Sequence, residues 1–226
     1  MTNAAMLWTG GKDSALAFYE AGLTGCHIRC LVTFAPPKPR FAAHPIEFMK
    51  KQALALELPH YLLEVNEPFR EGYEDGIRSL KETKGIDALV TGDIAEVGGQ
   101  PNWIRKCSKP ISMNVLTPLW GWDRLALLHQ LLSKEFRVVF SCVKTPWLTE
   151  KWIGRELDHE AIEELRALRA KSGLDLCGEE GEYHTLVMDA PSFKSSIEIR
   201  SFVNRSRDSL YYMDIQELEL VSKRCL

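Results

Sequence analysis

The sequence predicts an α/β protein: a doubly wound parallel sheet followed by a smaller C-terminal α+β region. Three observations predict it. Short apolar runs alternate with helical patterns through the first half of the chain. A glycine-rich turn, Thr9-Gly10-Gly11-Lys12-Asp13-Ser14, closes the first of those runs. After Gly173 the apolar residues change from helical spacing to strict alternation.

The elements follow in order. Ala4–Trp8 is a buried strand, and Ala15, Leu16, Phe18 and Tyr19 carry a helix toward Gly22. His27–Phe34 is a second strand. The prolines of Ala35-Pro36-Pro37-Lys38-Pro39-Arg40 fix φ and remove donors, so this stretch is an exposed loop. Pro45–Leu58 sets Ile46, Met49, Ala53 and Leu56 on one helical face. His60–Val65 is a third strand, Phe69–Lys84 a helix stopped by Gly85, and Asp87–Thr91 a fourth strand. Gly98-Gly99-Gln100-Pro101 reads as a flexible turn before an irregular, basic stretch, Asn102–Lys109. Asp123–Ser133 is a helix and Arg137–Cys142 a strand. Leu148–Ser172 reads as one long helix, with Leu157, Ala161, Leu165 and Leu168 as its core stripe. Tyr183–Asp189 is a strand. Ile197, Ile199 and Val203 alternate, as do Tyr211, Met213 and Ile215. Leu218 and Leu220 continue out of phase, which predicts a β-bulge near Gln216.

Composition narrows the function classes. The 226 residues correspond to one and a half domains of about 150 residues each. That division suggests one main domain with a smaller one attached, here 1–125 and 126–226. Lys and Arg total 28 against 31 Asp and Glu, and the resulting net charge of −3 gives no global drive toward nucleic acid. No apolar run approaches the ~20 residues that span a bilayer. The six cysteines (Cys26, Cys30, Cys107, Cys142, Cys177, Cys225) are scattered, and no basic-then-apolar leader precedes the first strand. The expectation is a cytoplasmic protein with reduced thiols.

In parallel sheets ligands bind beyond the carboxyl ends of the strands, where both Thr9–Ser14 and Gly92-Asp93 fall. Gly10 and Gly11 let main-chain N–H groups approach phosphate oxygens at a helix N-terminus. Lys12 adds a full charge, and Ser14 adds a hydroxyl donor or a cap. Asp13 would repel an anion, but it fits if it holds Mg²⁺ bridging to the phosphates. The lysine is followed by Asp, so this is not the G-x-x-x-x-G-K-[ST] loop. Asp93 suits either Mg²⁺ or a ribose hydroxyl. Arg105 suits a phosphate or a substrate carboxylate. His44 follows the proline-rich loop and is a weaker candidate for covering a nucleotide.

The string Thr9–Ser14 resembles the PP-loop, S-G-G-x-D-S, of the ATP pyrophosphatases, with Thr9 in place of the first Ser. Gly178-Glu179-Glu180-Gly181-Glu182-Tyr183-His184-Thr185 resembles the G-E-x-G-E-[YF]-x-T signature of the diphthine–ammonia ligase family. Thr91-Gly92-Asp93-Ile94, Thr117-Pro118-Leu119-Trp120 and Gln52-Ala53 with Ala55, Leu56 and Pro59 are similar to further segments of that family. His184, Cys177, Cys142-Val143 and Gly154-Arg155 resemble its bacterial-type branch, whose acceptor need not be diphthine.

The resemblance implies an adenine nucleotide alpha hydrolase-like (HUP) fold and the use of ATP and Mg²⁺. It implies ATP cleaved between the α- and β-phosphates, an adenylated carboxylate, and ammonia displacing AMP. Thr9, Gly10, Gly11, Lys12, Asp13, Ser14 and Asp93 would then hold the nucleotide, with Asp13 on Mg²⁺. Arg105, Glu179, Glu182, Tyr183 and His184 would face the acceptor, a small-molecule or protein-borne carboxylate. Crowding of Glu179, Glu180 and Glu182 would raise a pKa for proton transfer from ammonium, or attract ammonium directly. For Glu180 a solvated acidic turn fits better, and His184 suits a structural role equally well.

Two other readings use the same loop. A tRNA-thiolating sulfurtransferase needs a cysteine pair or a C-x-x-C knuckle, and only Cys142 with Cys177 remains available for it. A non-catalytic nucleotide-binding module would not need Lys12, Asp13, Ser14, Asp93 and Arg105 together. The exposed edges of a β-rich tail suit a homodimer.

Overall fold

A computed structural model of the chain describes residues 2–96 and 102–223. The expected turn at Gly98–Pro101, Met1 and Cys225 lie outside them. The chain divides into two compact units: Met1–Thr9, Asp13–Arg40 and Glu57–Gly121 make the first, and Gly10–Lys12, Phe41–Leu56 and Trp122–Leu226 the second.

The first unit is an all-parallel sheet of β1 (Asn3–Leu7), β2 (His27–Ala35), β3 (His60–Glu64), β4 (Ala88–Val90) and β5 (Asn114–Leu116). Its strand order is β3-β2-β1-β4-β5, so the direction of winding reverses between β1 and β4. With right-handed crossovers, that reversal places helix α1 (Lys12–Leu23) and helix α3 (Phe69–Lys84) on opposite faces of the sheet. The central strands β1 and β4 and most of β2 are buried, as strands covered by helices on both faces require, while the outer strands β3 and β5 are more exposed. On one face Ala5, Cys30, Val32 and Leu89 pack with Ile77 and Leu80 of α3 and with Cys107. Helix α3 stops where Gly85 takes a left-handed φ of 62°.

The second unit carries α2 (Ile46–Leu56), α5 (Arg124–Ser133) and α6 (His159–Ser172). Its antiparallel sheet is formed by β6 (Arg137–Lys144), β7 (Tyr183–Asp189), β8 (Ser195–Arg207) and β9 (Leu210–Ser222), in the order β7-β6-β9-β8. Side-chain oxygens of Asp123 and Asp158 cap α5 and α6, accepting from the N–H groups of Ala126 and Ala161. The anticipated bulge is present: Ser201 faces Glu217 while Phe202 faces Ile215, which leaves Gln216 as the extra residue.

Three sequence expectations change. Leu148–Ser172 is not one helix. Glu150–Trp152 is a short 3₁₀ turn, and the helix begins only at His159. The main chain between them bonds to β6 instead: Phe140 N–H donates to Arg155 O, and Leu157 N–H to Val138 O. Gly154 makes that excursion feasible, with φ +79° and Phe202 where a Cβ would stand. The stretch Asn102–Lys109, read as irregular, holds helix α4 (Trp103–Ser108) and then a 3₁₀ turn, Lys109–Ile111. The fifth strand, β5, was not expected. No helix among the described residues is long and apolar enough to cross a membrane.

Candidate active site

The glycine-rich turn is pinned within the second unit by main-chain bonding. The Gly10 carbonyl accepts from Val187 N–H at 3.0 Å and from Gln52 Nε2 at 2.9 Å. The same Gln52 amide also donates to Val187 O at 2.9 Å, so one buried side chain ties the turn to β7. Gly10 has φ +79°, and a Cβ there would stand 2.5 Å from Gln52 Oε1, so only glycine fits. Lys12 N–H donates to Thr185 Oγ1 at 3.1 Å. The Lys12 ammonium, only 2% exposed, donates to Cys177 O at 2.5 Å and lies 5.2 Å from the Tyr183 ring centroid.

The segment that receives this ammonium is folded on its own carboxylates. Asp175 Oδ1 accepts from Cys177 N–H at 2.8 Å, while Asp175 Oδ2 pairs with Arg124 at 3.3 Å. Glu182 is buried, and its two oxygens accept from Asp175 N–H at 2.8 Å and Glu180 N–H at 3.0 Å. Tyr183 hydroxyl donates to Leu176 O at 2.5 Å. Gly178 has φ +75°, and a Cβ there would meet Tyr183 O at 2.7 Å. Glu182 and Tyr183 therefore hold the shape of the loop that carries the Cys177 carbonyl. Glu179 is half-buried and Glu180 exposed.

His44 and His184 form a pair with ring centroids 5.2 Å apart. Burial, then the charges of His184 and Lys12, push His44 down to about 3, and its Nδ1 is enclosed without a hydrogen-bond partner. Burial, then Lys12, also lowers His184. Both imidazoles are therefore neutral near pH 7. Cys142 and Cys177 are buried, and burial pushes the Cys142 thiol up to about 11, far from a reactive thiolate.

Thr9, Asp13, Ser14, Asp93 and Arg105 belong to the first unit. Thr9 Oγ1 bonds Ser14 Oγ at 3.2 Å. Gly92 lies against the start of α1, where a Cβ would come within 2.7 Å of Asp13 C and Ser14 N. Asp93 accepts from Thr91 Oγ1 at 2.6 Å and from the Asn102 amide. Asn102 Oδ1 in turn caps α4 by accepting from Arg105 N–H at 2.9 Å, and the Arg105 guanidinium donates to Thr117 Oγ1 at 2.8 Å. A hydrogen-bonded chain thus runs from the end of β4 to Arg105. Among the described residues no group of three or more His, Cys, Asp or Glu side chains is gathered to hold a metal. The Asp13 carboxylate fits the one or two protein ligands that Mg²⁺ takes when phosphates supply the rest.

Gln52 and Thr185 were not singled out as site residues from the sequence. Both lie inside the quoted family segments, which was the available signal.

A parallel sheet wound 3-2-1-4-5, with this turn at the end of its first strand where the winding reverses, has the build of a ligand-binding α/β fold. Residues 2–114 match the diphthamide synthase N-terminal domain, and residues 123–221 match the diphthamide synthase C-terminal domain. The chain belongs to the diphthamide synthase family, and with it to the ATP-dependent ligases that form C–N bonds. A protein of Schizosaccharomyces pombe named diphthine–ammonia ligase is 30% identical over 141 residues, 62% of this chain and 23% of that protein. The diphthine–ammonia ligases of Bos taurus and Homo sapiens are 24% and 25% identical over 249 aligned residues, 97% of this chain and 92% of each relative.

Proposed function

We propose that the protein adenylates a substrate carboxylate with ATP, releases pyrophosphate, and lets ammonia displace AMP to leave an amide. In the first step a carboxylate oxygen attacks the α-phosphorus and the bond to the bridging oxygen of pyrophosphate breaks. In the second, ammonia attacks the acyl carbon, the C–O bond to AMP breaks, and one proton is released. The observation that carries this reading is the union of the Gly10–Lys12 turn with the Cys177–Val187 segment through Lys12, Gln52 and Thr185. Family membership supports the ligase chemistry.

On this reading, Gly10, Gly11 and Lys12 carry the pyrophosphate, whose developing charge needs fixed donors. Thr9 and Ser14 support the turn. Asp13 would hold Mg²⁺, which supplies charge neutralisation on the phosphates when bound. Asp93 orients Arg105 through Asn102, and Arg105 clamps an anionic part of the substrate. Glu179 meets ammonium and takes its proton, while Glu182 and Tyr183 keep the segment in shape. Neutral His184, with His44 behind it, faces the acceptor. The acceptor is a small-molecule or protein-borne carboxylate; the name of the relatives suggests diphthine as one case.

The test is product analysis with labelled ATP, ammonium and a library of cell-derived carboxylates. AMP and pyrophosphate should form together with an acid-to-amide conversion seen by mass spectrometry. Formation of ADP and phosphate would refute the reading.

A further inference from the structure

Strand β5 is the outer strand of its sheet and pairs with β4 on one side. Thr91 N–H donates to Leu116 O at 3.0 Å. Alternation along a parallel strand then turns the main-chain groups of Asn114 and Leu116 toward β4. The N–H and C=O of Val115 point to the outer edge. A groove of about 440 Å³ follows this edge, lined by Asn114, Val115 and Leu116 together with Arg105 and Lys109. A second hollow of about 790 Å³ shares Arg105 and Lys109 and adds Lys106, Trp103 and Trp120. Trp103 and Trp120 are 40% and 41% exposed, which is high for indoles. Glu96 is the single carboxylate among the described lining residues.

An open strand edge and a one-sided positive wall complement one kind of partner. Extended peptides add to sheet edges through main-chain hydrogen bonds, and the neighbouring side chains select the sequence. Here the selecting wall is cationic, so complementarity calls for carboxylates. We propose that the outer edge of β5, with Arg105, Lys106 and Lys109, docks an extended acidic segment of the protein that carries the acceptor carboxylate. The link to an acceptor rests on the proposed ligase reaction; the docking itself does not require ATP.

The experiment is fluorescence anisotropy of the full chain with a short labelled peptide of alternating Glu and Val, without nucleotide. Saturable binding is expected, weakened about tenfold or more in the Lys106→Glu, Lys109→Glu double variant. The same peptide with alternate backbone nitrogens methylated keeps its charge and loses the strand donors; it should not bind. Equal binding of the methylated peptide would overturn edge pairing. Tighter binding of a labelled oligouridine, lost in the same double variant, would overturn the peptide assignment in favour of RNA. Absence of amide product with intact peptide binding would sink the ligase reading alone, whereas product without peptide binding would sink the docking proposal alone.

Discussion

The ammonium of Lys12 donates to the main-chain carbonyl of Cys177 at 2.5 Å. The chain positions are 165 residues apart, yet the turn and the Gly178–Thr185 segment form one bonded group. Tyr183 completes it, with its ring near the ammonium and its hydroxyl on Leu176 O. The carbonyl fixes the position of the ammonium; on the proposed reading that charge would need no reorganisation when pyrophosphate leaves.

Lys12→Met tests this arrangement. The variant keeps the length of the side chain and leaves the buried Cys177 carbonyl without this donor. Losing a hydrogen bond from a charged donor costs about 1.5–3 kcal/mol, so the denaturation midpoint should fall along with ATP turnover. Urea titration at unchanged m-value checks the first, and release of pyrophosphate the second. Loss of turnover with full stability would show that the lysine serves phosphate alone.

Glu182→Gln separates shape from chemistry in the acidic segment. The carboxylate accepts from two N–H groups, on Asp175 and Glu180. An amide must turn its own NH₂ group toward one of them. The expected cost is again about 1–3 kcal/mol, with a parallel fall in turnover. Glu179→Gln, by contrast, should depress the ammonia-dependent step, because an amide cannot take the ammonium proton. Unchanged stability of Glu182→Gln would remove the structural role assigned to Glu182.

The histidine pair predicts how stability depends on pH. His44 is held down to about 3, chiefly by burial, while an unfolded histidine takes its proton near pH 6.5. His184 shifts in the same direction for the same leading reason. Below about pH 6.5 the unfolded chain therefore binds more protons than the native one. The contribution of the pair is complete above that pH and is lost as pH falls toward the folded value. Unfolding free energy should drop with a slope approaching about 1.4 kcal/mol per pH unit for each fully titrating histidine. His44→Phe should remove its share of that slope in urea titrations between about pH 7 and pH 4.5. An unchanged slope would show that His44 is protonated in the native protein.

Helix ends were legible where one residue forces them: Gly85 and Gly173 take left-handed φ values that stop α3 and α6. The bulge at Gln216 was legible because one extra residue shifts the alternation. The 154–157 stretch was not, because its helical spacing is coincidental and its hydrogen bonds are spent on β6. Three residues, Asn114-Val115-Leu116, are too short for any period to reveal β5. In the candidate site the glycine turn between β1 and α1 could be read from Thr9–Ser14. The duties of Gln52 and Thr185 could not, since each depends on pairing with residues far along the chain.

Gly92→Ala probes the other side of the turn. Gly92 follows β4, and its Cα faces the first residues of α1, where an added methyl would sit 2.7 Å from Asp13 C and Ser14 N. Both are main-chain atoms, so no side-chain rotation relieves the overlap. The start of α1 must move away from β4, carrying with it the carboxylate assigned to Mg²⁺ and the Ser14 hydroxyl. Overpacking of this kind costs about 1–3 kcal/mol, a loss that urea titration will read. Because positioning governs rate steeply, pyrophosphate release should fall about a hundredfold. Gly22→Ala is the control: nothing lies within 4 Å of its added Cβ, so it should leave turnover unchanged. If Gly92→Ala destabilises the protein yet turns over at the normal rate at a temperature where it is folded, the placement of Asp13 and Ser14 in the reacting site is wrong.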